Sequence, residues 1–190
     1  AVQDDSATAW RGPTVAANSA FVNPTYTVGA SAVRLASYMT SIPAGQTISL
    51  SGVTLHLSSH TGLNLQNLTL KAGGSQYGSV VATVGSGASD YTFTATTPFT
   101  SPTGSFAIDM YGDILASSTT GSYANLTSLT NWSMTSNSSV VKFTDPVVGQ
   151  NVTLVTGGIL TLSDWSNLLT GWVLPGTTGN RLSSVRVRGD

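Results

Sequence analysis

The amino-acid sequence predicts an all-β protein, an antiparallel β-sandwich, and three observations support this fold class. Apolar residues alternate with hydroxyl-bearing residues over short segments such as 53–58 and 91–96, and a period of two is typical of strands with one buried face. Turn residues separate these segments at intervals of roughly 10 to 15 residues. Glu is absent, and no long segment keeps the period of an α-helix.

The predicted strands follow one another through the middle of the chain. We expect around eight to ten of them, as in a β-sandwich, with a jelly roll or a partly open barrel as the alternative. Their apolar positions are Val53, Leu55, Leu57, Leu68, Leu70, Tyr91, Phe93, Phe106, Ile108, Met110, Val152, Leu154, Leu160 and Leu162. The turns between them are Pro43-Ala44-Gly45, Gly73-Gly74, Gly85-Ser86-Gly87, Pro102-Thr103-Gly104 and Gly157-Gly158. A helical turn is also predicted over 163–169, with Ser163 as its cap.

The two ends of the chain differ from this middle part. Residues 1–24 have few alternating apolar positions and are predicted to form an extended N-terminal arm. Residues 25–163 are predicted to form the sandwich, and residues 164–190 a C-terminal segment that ends in a strand. The pattern of residues 185–187 in that strand resembles that of residues 33–35, so the chain ends on a strand of the type that opens the sandwich.

Charged residues are scarce. Only 8% of the 190 residues are charged and the net charge is −1, whereas roughly 25% of residues are charged in an ordinary globular protein. We therefore expect no nucleic-acid partner. We also expect no membrane span, because no apolar run approaches the roughly 20 residues that a spanning helix needs. A surface made mostly of Ser, Thr, Asn and Gln suits a protein that packs against copies of itself or carries sugar.

The start of the chain and its lack of cysteine bear on the compartment. The chain begins at Ala1 rather than at Met, which fits a secreted protein whose signal peptide has been removed. Without cysteine there is no disulfide, no thiolate nucleophile and no cysteine-based zinc site. We expect an extracellular or cell-surface location for a domain whose hydrophobic fraction, 40%, is sufficient for a core without cross-links.

Several segments together resemble a known family. They are residues 33–38, 42–57, 65–70, 78–84, 91–93 and 149–154. In this order they are similar to the immunoglobulin-like repeats of prokaryotic cell-surface, S-layer-type and extracellular filament proteins, over roughly residues 28–163. The resemblance implies an immunoglobulin-like Greek-key sandwich with a structural or adhesive role at the cell surface, and it supplies no catalytic residues to transfer.

The sequence offers little for catalysis or metal binding, and we predict neither an enzyme nor a cofactor. His56 and His60 are the only histidines, and no Gly-x-Ser-x-Gly nucleophile motif is present. All eight acidic residues are Asp. Asp109 and Asp113 could share a sheet face, with calcium as the alternative to a structural role, but their spacing does not approach that of a calcium-binding loop.

Five residues near the ends are candidates for contacts between subunits. Trp10 and Trp172 lie outside the predicted sandwich and could dock into a neighbouring molecule, although tryptophans could also form a sugar-stacking platform. Leu182, Val185 and Val187 have the spacing of an inserted strand. Glycosylation is possible at the five Asn-x-Ser/Thr sequons, which begin at Asn67, Asn125, Asn131, Asn137 and Asn151.

These observations lead to a functional prediction. The chain is predicted to be a structural subunit of an extracellular, pilus-like filament or a surface lattice that assembles head to tail by β-strand complementation. Either the C-terminal strand or residues 1–24 would be the donor. The alternative is an adhesive or carbohydrate-binding module of a larger surface protein, and a viral capsid or fibre domain would share the same composition.

Overall fold

The structure is a computed structural model that describes residues 13–101, 104–136, 139–143, 146–157, 161–164 and 185–188. These residues form strands and turns, and no helix occurs among them. The strands are β1 Thr14–Ala17, β2 Thr25–Thr27, β3 Val33–Ser41, β4 Ile48–Leu57, β5 Leu65–Ala72, β6 Ser75–Thr83, β7 Ser89–Phe93, β8 Phe99–Ser101, β9 Ser105–Ile114, β10 Gly121–Tyr123, β11 Thr127–Ser136, β12 Ser139–Phe143, β13 Val147–Val148, β14 Val152–Val155, β15 Thr161–Asp164 and β16 Val185–Arg188. The all-β prediction is confirmed.

The strands form four sheets. A five-stranded antiparallel sheet has the order β1-β3-β9-β5-β6. A second sheet has the order β12-β11-β4-β7, with β13 beside β11 and β8 beside β4. A small third sheet, β10-β14-β2, contains the parallel pair β14 and β2. The chain forms two compact units, residues 1–155 and 156–190, and the fourth sheet, the antiparallel pair β15 and β16, belongs to the second unit.

One hydrophobic core lies within the first unit. The alternating apolar residues of β4, β5, β9 and β11 point inward, and Trp132, Tyr38 and Phe93 are the largest buried side chains. Fully burying one such aliphatic or aromatic side chain contributes roughly 1.5–3 kcal/mol. Because the two larger sheets both supply side chains to this core, the arrangement is consistent with a β-sandwich.

Two tyrosine hydroxyls cross the core from the five-stranded sheet to the second sheet. The Tyr38 hydroxyl hydrogen-bonds the Thr127 hydroxyl at 3.0 Å, and the Tyr77 hydroxyl donates to the Leu50 carbonyl at 3.0 Å. Burial raises the pKa of Tyr38 to about 12, with the Thr127 hydrogen bond acting in the opposite direction. Both phenols are therefore neutral at physiological pH, and they join the two sheets by hydrogen bonds inside an apolar interior.

The Gly149-Gln150 pair closes one side of the five-stranded sheet. A Cβ on Gly149 would lie 2.8 Å from both the Tyr38 and Thr127 hydroxyl oxygens, so only glycine fits there. The buried Gln150 amide accepts a hydrogen bond from the Ser37 amide at 3.0 Å and donates to the Ser37 carbonyl at 3.1 Å. It also donates to the Asn18 carbonyl at 3.3 Å. A side chain thus continues the backbone pairing where β1 ends.

The described part of the predicted arm is hydrogen-bonded to the sandwich. Within 13–24, β1 pairs with β3, and the Asn18 amide nitrogen donates to the Ser37 carbonyl at 3.0 Å. The Pro24 carbonyl accepts a hydrogen bond from the Thr153 amide at 2.9 Å. At the other end of the chain, Ser163 and Asp164 of the predicted helical turn lie in β15, paired with β16, and residues 165–169 of that turn lie outside the described residues.

Candidate functional site

The outer face of the five-stranded sheet carries most of the charged side chains that the structure describes. In β9 the even-numbered residues from Phe106 to Met110 face the core, so Asp109, Tyr111 and Asp113 face outward. The register places Arg34 of β3 beside Tyr111 and Lys71 of β5 beside Asp109. In a chain with so few charges, a face with two cations, two carboxylates and an aromatic ring is the strongest candidate for a recognition surface.

Arg34 is held in place on three sides. Its guanidinium lies 4.0 Å from the centroid of the Phe21 ring and 3.7 Å from a carboxylate oxygen of the largely buried Asp109. The Tyr26 hydroxyl donates to the Arg34 carbonyl at 2.6 Å. Burial raises the pKa of Tyr26, and the positive charge of Arg34 opposes that rise. The ion pair therefore links β3 to β9, but at 3.7 Å it is too long for a hydrogen bond, and Asp109 Oδ1 has no hydrogen-bond partner among the described residues.

Asp113 anchors two strained backbone positions. Its carboxylate accepts from the Ala32 amide and from the Asn67 side-chain amide, each at 2.7 Å. Ala32 and Asn67 have φ angles of 52° and 53°, in the left-handed region that costs energy for residues other than glycine. The Asn67 bond, and after it the Ala32 bond, lower the pKa of Asp113 below its usual value, because both stabilise the ionised form.

Lys71 differs from the other charged groups of this face. Its ammonium lies 4.3 Å from the centroid of the Tyr111 ring, a cation–π contact. In the described part of the chain no carboxylate lies within ion-pair distance of it. Beside it is a groove of about 340 Å³. The groove is lined by Ala32, Asn67, Thr69, Lys71, Val80, Tyr111, Gly112 and Asp113.

The groove opens onto the edge strand β6. Three residues of β6, from Gly78 to Val80, lie opposite the single residue Thr69 of β5, which makes a bulge. The bulge leaves the Val80 side chain 45% exposed at the rim of the groove. A Cβ on Gly78 would lie 3.0 Å from the Thr94 carbonyl oxygen, so the backbone there is covered. From residue 79 to residue 83 no strand among the described residues pairs with the other side of β6.

The structure describes two of the five residues predicted to make contacts between subunits. Val185 and Val187 lie in β16, opposite Asp164 and Leu162 of β15 in the same unit. Trp10, Trp172 and Leu182 lie outside the described residues.

The predicted sequons lie at different kinds of site. The side chains of Asn67, Asn125 and Asn131 are exposed, and that of Asn151 is half-buried. The Asn151 side-chain oxygen accepts a hydrogen bond from the Asn125 amide at 2.8 Å. Asn137 is outside the description. Exposure makes the first three sequons accessible to a glycosyl transfer enzyme, and their modification stays a prediction.

The two histidines and the two Asp residues weighed as a calcium pair have separate surroundings. His56 Nδ1 lies 2.7 Å from an Asp90 carboxylate oxygen at the surface, and His60 is buried with Nδ1 against the Ser58 carbonyl. Asp109 and Asp113 do share the outer face, but Asp109 faces Arg34 and Asp113 accepts from amides. Across the described ranges no group of three or more His or Asp side chains is placed to hold a metal ion.

The sequence contains a signal for this face that goes beyond the pair Asp109 and Asp113. Asp109, Tyr111 and Asp113 recur with the period of a strand, opposite to the apolar residues between them. Lys71 is one of only two lysines in the chain. The contact of Lys71 with Tyr111 and the position of Val80 depend on how β5 pairs with its two neighbours, and that register is visible only in the structure.

Comparison with known proteins gives no relative. No protein-family model, curated protein or solved structure matches the chain. Among the residues that the structure describes, no helix has the length and apolar character needed to cross a membrane.

Proposed function

We propose that this chain is a structural subunit of an extracellular filament or surface lattice, and that copies join by addition of a β-strand to the edge of the five-stranded sheet. The observation that carries the proposal is the open stretch of β6 from residue 79 to residue 83. We include in the proposal an immunoglobulin-like Greek-key topology for the sandwich and a location outside the cell. The protein would act by binding and would not be an enzyme.

The composition of this stretch supports the proposal. Its sequence is Ser-Val-Val-Ala-Thr, and four of its five side chains are exposed. Sheet edges in monomeric proteins are usually protected by charge, especially by Lys, or by Pro. Here neither occurs, and Val and Thr favour extended structure. An uncharged edge with free backbone groups can hydrogen-bond a strand from another molecule, and the side chains beside it then provide specificity.

The overall composition also supports assembly from copies of the chain. A net charge of −1 over 190 residues gives little electrostatic repulsion between copies. In a head-to-tail contact, the edge of one subunit binds a different surface of the next, so the contact does not close into a dimer and produces a fibre or a lattice.

The proposal is tested by the assembly of the full chain and of a variant with a charged edge. We expect the full chain to form polymers, measured by sedimentation and negative-stain electron microscopy. Val80→Lys should reduce the sedimenting fraction strongly, because it places a cation on the edge beside Lys71. Val22→Lys is the matched control, since Val22 is 75% exposed and is not in a strand. A full chain that stays monomeric up to its solubility limit would refute the proposal.

A second candidate function is supported by a different concave surface. On the outer face of the second sheet, hydroxyl and amide side chains surround a depression of about 340 Å³. Its polar lining is Ser51, Thr54, Thr92, Thr94, Asn131 and Ser133. Such groups can hydrogen-bond sugar hydroxyls, as in an adhesive or carbohydrate-binding module. Glycan binding by the monomeric chain that is lost in Thr92→Val, with Thr69→Val as the control on the other sheet, would favour this function.

A further inference from the structure

We infer that an N-linked glycan is attached at Asn131 and that its first sugar lies in the depression on the outer face of the second sheet. Such a glycan is added to secreted chains, so this inference rests on the location in the proposed function but not on assembly. Three features of the molecule carry it: the side-chain amide of Asn131, the hydroxyl groups around it, and the difference between this sequon and the others.

A bulge in β11 places the sequon on the outer face of the second sheet. Residues 130 and 131 together lie opposite Thr54 of β4, where the register of the two strands shifts. Asn131 and Ser133 are two residues apart in the strand and share a face, while Trp132 between them is buried. The Asn131 side chain is exposed and makes no hydrogen bond to the described residues. A sugar on its nitrogen therefore projects outward and displaces no described contact.

The other described sequons lack this combination of features. The Asn67 side-chain nitrogen donates to Asp113, and the Asn151 side-chain oxygen accepts from the Asn125 amide, so both side chains are part of the fold. Asn125 itself lies in the turn before β11, and it lines neither of the two concave surfaces described above. Asn131 is thus the described sequon that joins an uncommitted amide to a polar depression.

The depression has the size and the polar groups for one sugar ring. Its volume of about 340 Å³ falls within the range of roughly 300–1,000 Å³ for small-molecule sites. The Thr54 and Thr92 hydroxyl oxygens lie 3.0 Å apart. In such a pair one hydroxyl donates to the other, which keeps its own hydrogen for a third partner. The Ser51 hydroxyl donates to the Ser133 carbonyl at 3.0 Å and still accepts. Donors and acceptors for sugar hydroxyls are therefore both present.

A sugar attached at Asn131 has an advantage over a free sugar at this site. Because Asn131 itself lines the depression, the first sugar is held beside the hydroxyls at an effective concentration on the order of millimolar or higher. A free glycan must instead lose its translational freedom on binding. The occupant of the depression is therefore the protein's own glycan. Asn131 belongs to the second sheet and β6 to the five-stranded sheet, so the glycan and the assembly edge are separate sites.

The attachment is a group transfer that needs no oxidant or reductant. The Asn131 side-chain nitrogen forms a bond to the anomeric carbon of an oligosaccharide carried on a lipid diphosphate. The bond from that carbon to the diphosphate oxygen breaks, and the lipid diphosphate leaves with the electron pair. The amide nitrogen gives up one proton and keeps one hydrogen. The transfer enzyme and the lipid-linked oligosaccharide are supplied by the secreting cell.

The attachment is tested with the full chain, expressed behind a secretion leader in a host that glycosylates secreted proteins. Peptide-N-glycosidase converts a glycosylated asparagine to aspartate, so peptide mass mapping locates each glycan. We expect a glycan at Asn131 that is lost in Asn131→Gln and in Ser133→Ala, and kept in Ser133→Thr, which preserves the sequon. Asn125→Gln is the matched control and should leave the Asn131 glycan unchanged. A folded, secreted chain without a glycan at Asn131 overturns the inference.

The position of the first sugar is tested by the rate at which peptide-N-glycosidase removes the Asn131 glycan from the folded protein. Thr92→Val should raise this rate about threefold, because it removes a hydroxyl that holds the sugar. Thr69→Val, on the five-stranded sheet, is the matched control and should leave the rate unchanged. Thermal unfolding shows whether each variant folds. Equal rates in the two variants would overturn the placement of the sugar in the depression.

Sedimentation of the same preparations separates this inference from the proposed function. We expect Asn131→Gln to assemble like the parent, because the glycan and β6 lie on different sheets. If the parent carries the Asn131 glycan but stays monomeric, the proposed assembly fails and the glycan site stands. If the parent assembles without a glycan at Asn131, the glycan site is overturned and the proposed assembly stands.

Discussion

The two edges of the five-stranded sheet are finished in different ways. At one edge, β1 has only four residues, and where it ends the Gln150 side chain takes over the pairing with Ser37. At the other edge, β6 has nine residues, and its backbone from residue 79 to residue 83 has no described partner on its outer side. The chain itself therefore completes the pairing of β3 beyond the end of β1, which we call the closed edge, and leaves the outer side of β6 unpaired, which we call the open edge. β1 is also a terminal strand, and no described strand lies on its outer side.

The two edges also differ in how strictly their residues are constrained. Closing the β1 edge requires a glycine at position 149 and a buried amide at position 150, each with a single geometry that fits. The β6 edge has a bulge and an exposed valine, and no charged residue between residues 79 and 83. Edges left unpaired and uncharged are selected against in monomeric proteins, so the longer unpaired edge of β6, a strand of nine residues against four in β1, supports a role in assembly.

The largest expected effect concerns the closed edge. Gln150→Leu should lower the free energy of unfolding by about 1–3 kcal/mol, because it leaves the buried Ser37 amide without its hydrogen bond to Gln150 and removes one of the two donors to the Ser37 carbonyl. Gln76→Leu is the matched control on the open edge, where the Gln76 side chain is exposed and makes a local bond to the Gly78 carbonyl. We expect a change within about 0.5 kcal/mol there. Urea unfolding curves give both values, and equal losses would remove the distinction between the edges.

A comparable loss is expected from the glycine beside that amide. Gly149→Ala should destabilise the protein by about 1–3 kcal/mol, because the new methyl group would lie 2.8 Å from the Tyr38 and Thr127 hydroxyls and disturb the bond between them. Gly87→Ala is the control, since a Cβ there meets no atom within 4 Å. Thermal unfolding compares the two variants. A Gly149→Ala protein as stable as Gly87→Ala would mean that the sandwich can shift to accept the methyl group.

The sequence was sufficient to predict the inward faces of the strands but not their neighbours. Leu55 and Leu57 in β4, and Ile108 and Met110 in β9, are buried as their alternation predicts, because a strand's period of two is a local property. The groove beside Lys71 depends on pairing between β5, β6 and β9 and on a bulge at residues 78–80. Such registers arise from packing across the whole sheet, so no local pattern encodes them.

The sequence motifs could also be recognised locally, but their physical roles depend on residues distant in the chain. Gly149-Gln150 was recognisable as part of a family-like pattern, yet its physical role depends on Ser37, Tyr38 and Thr127, which are distant in the chain. Asp164, which the capping pattern placed inside a helical turn, lies in β15 opposite Val185 of β16. Local preferences in this chain therefore predict the fold class, while the features that distinguish its two edges come from long-range contacts.

The smallest expected effect concerns the outer face next to the open edge. The pKa of Asp113 is lower in the folded protein than its ordinary value of 3.8, because Asn67 and Ala32 donate to the carboxylate. A lowered folded pKa means that the carboxylate stabilises the protein above about pH 4 and that this contribution disappears as the pH falls through the folded pKa. Because the group is largely exposed, we expect less than about 1 kcal/mol. Asp113→Asn should therefore melt a few degrees lower than the parent at pH 7, whereas at pH 2.5 the difference between the two melting temperatures should be smaller. A difference that is the same at both pH values would show that Asp113 holds Ala32 and Asn67 by shape rather than by charge, and the left-handed turns that frame the groove would then not depend on ionisation.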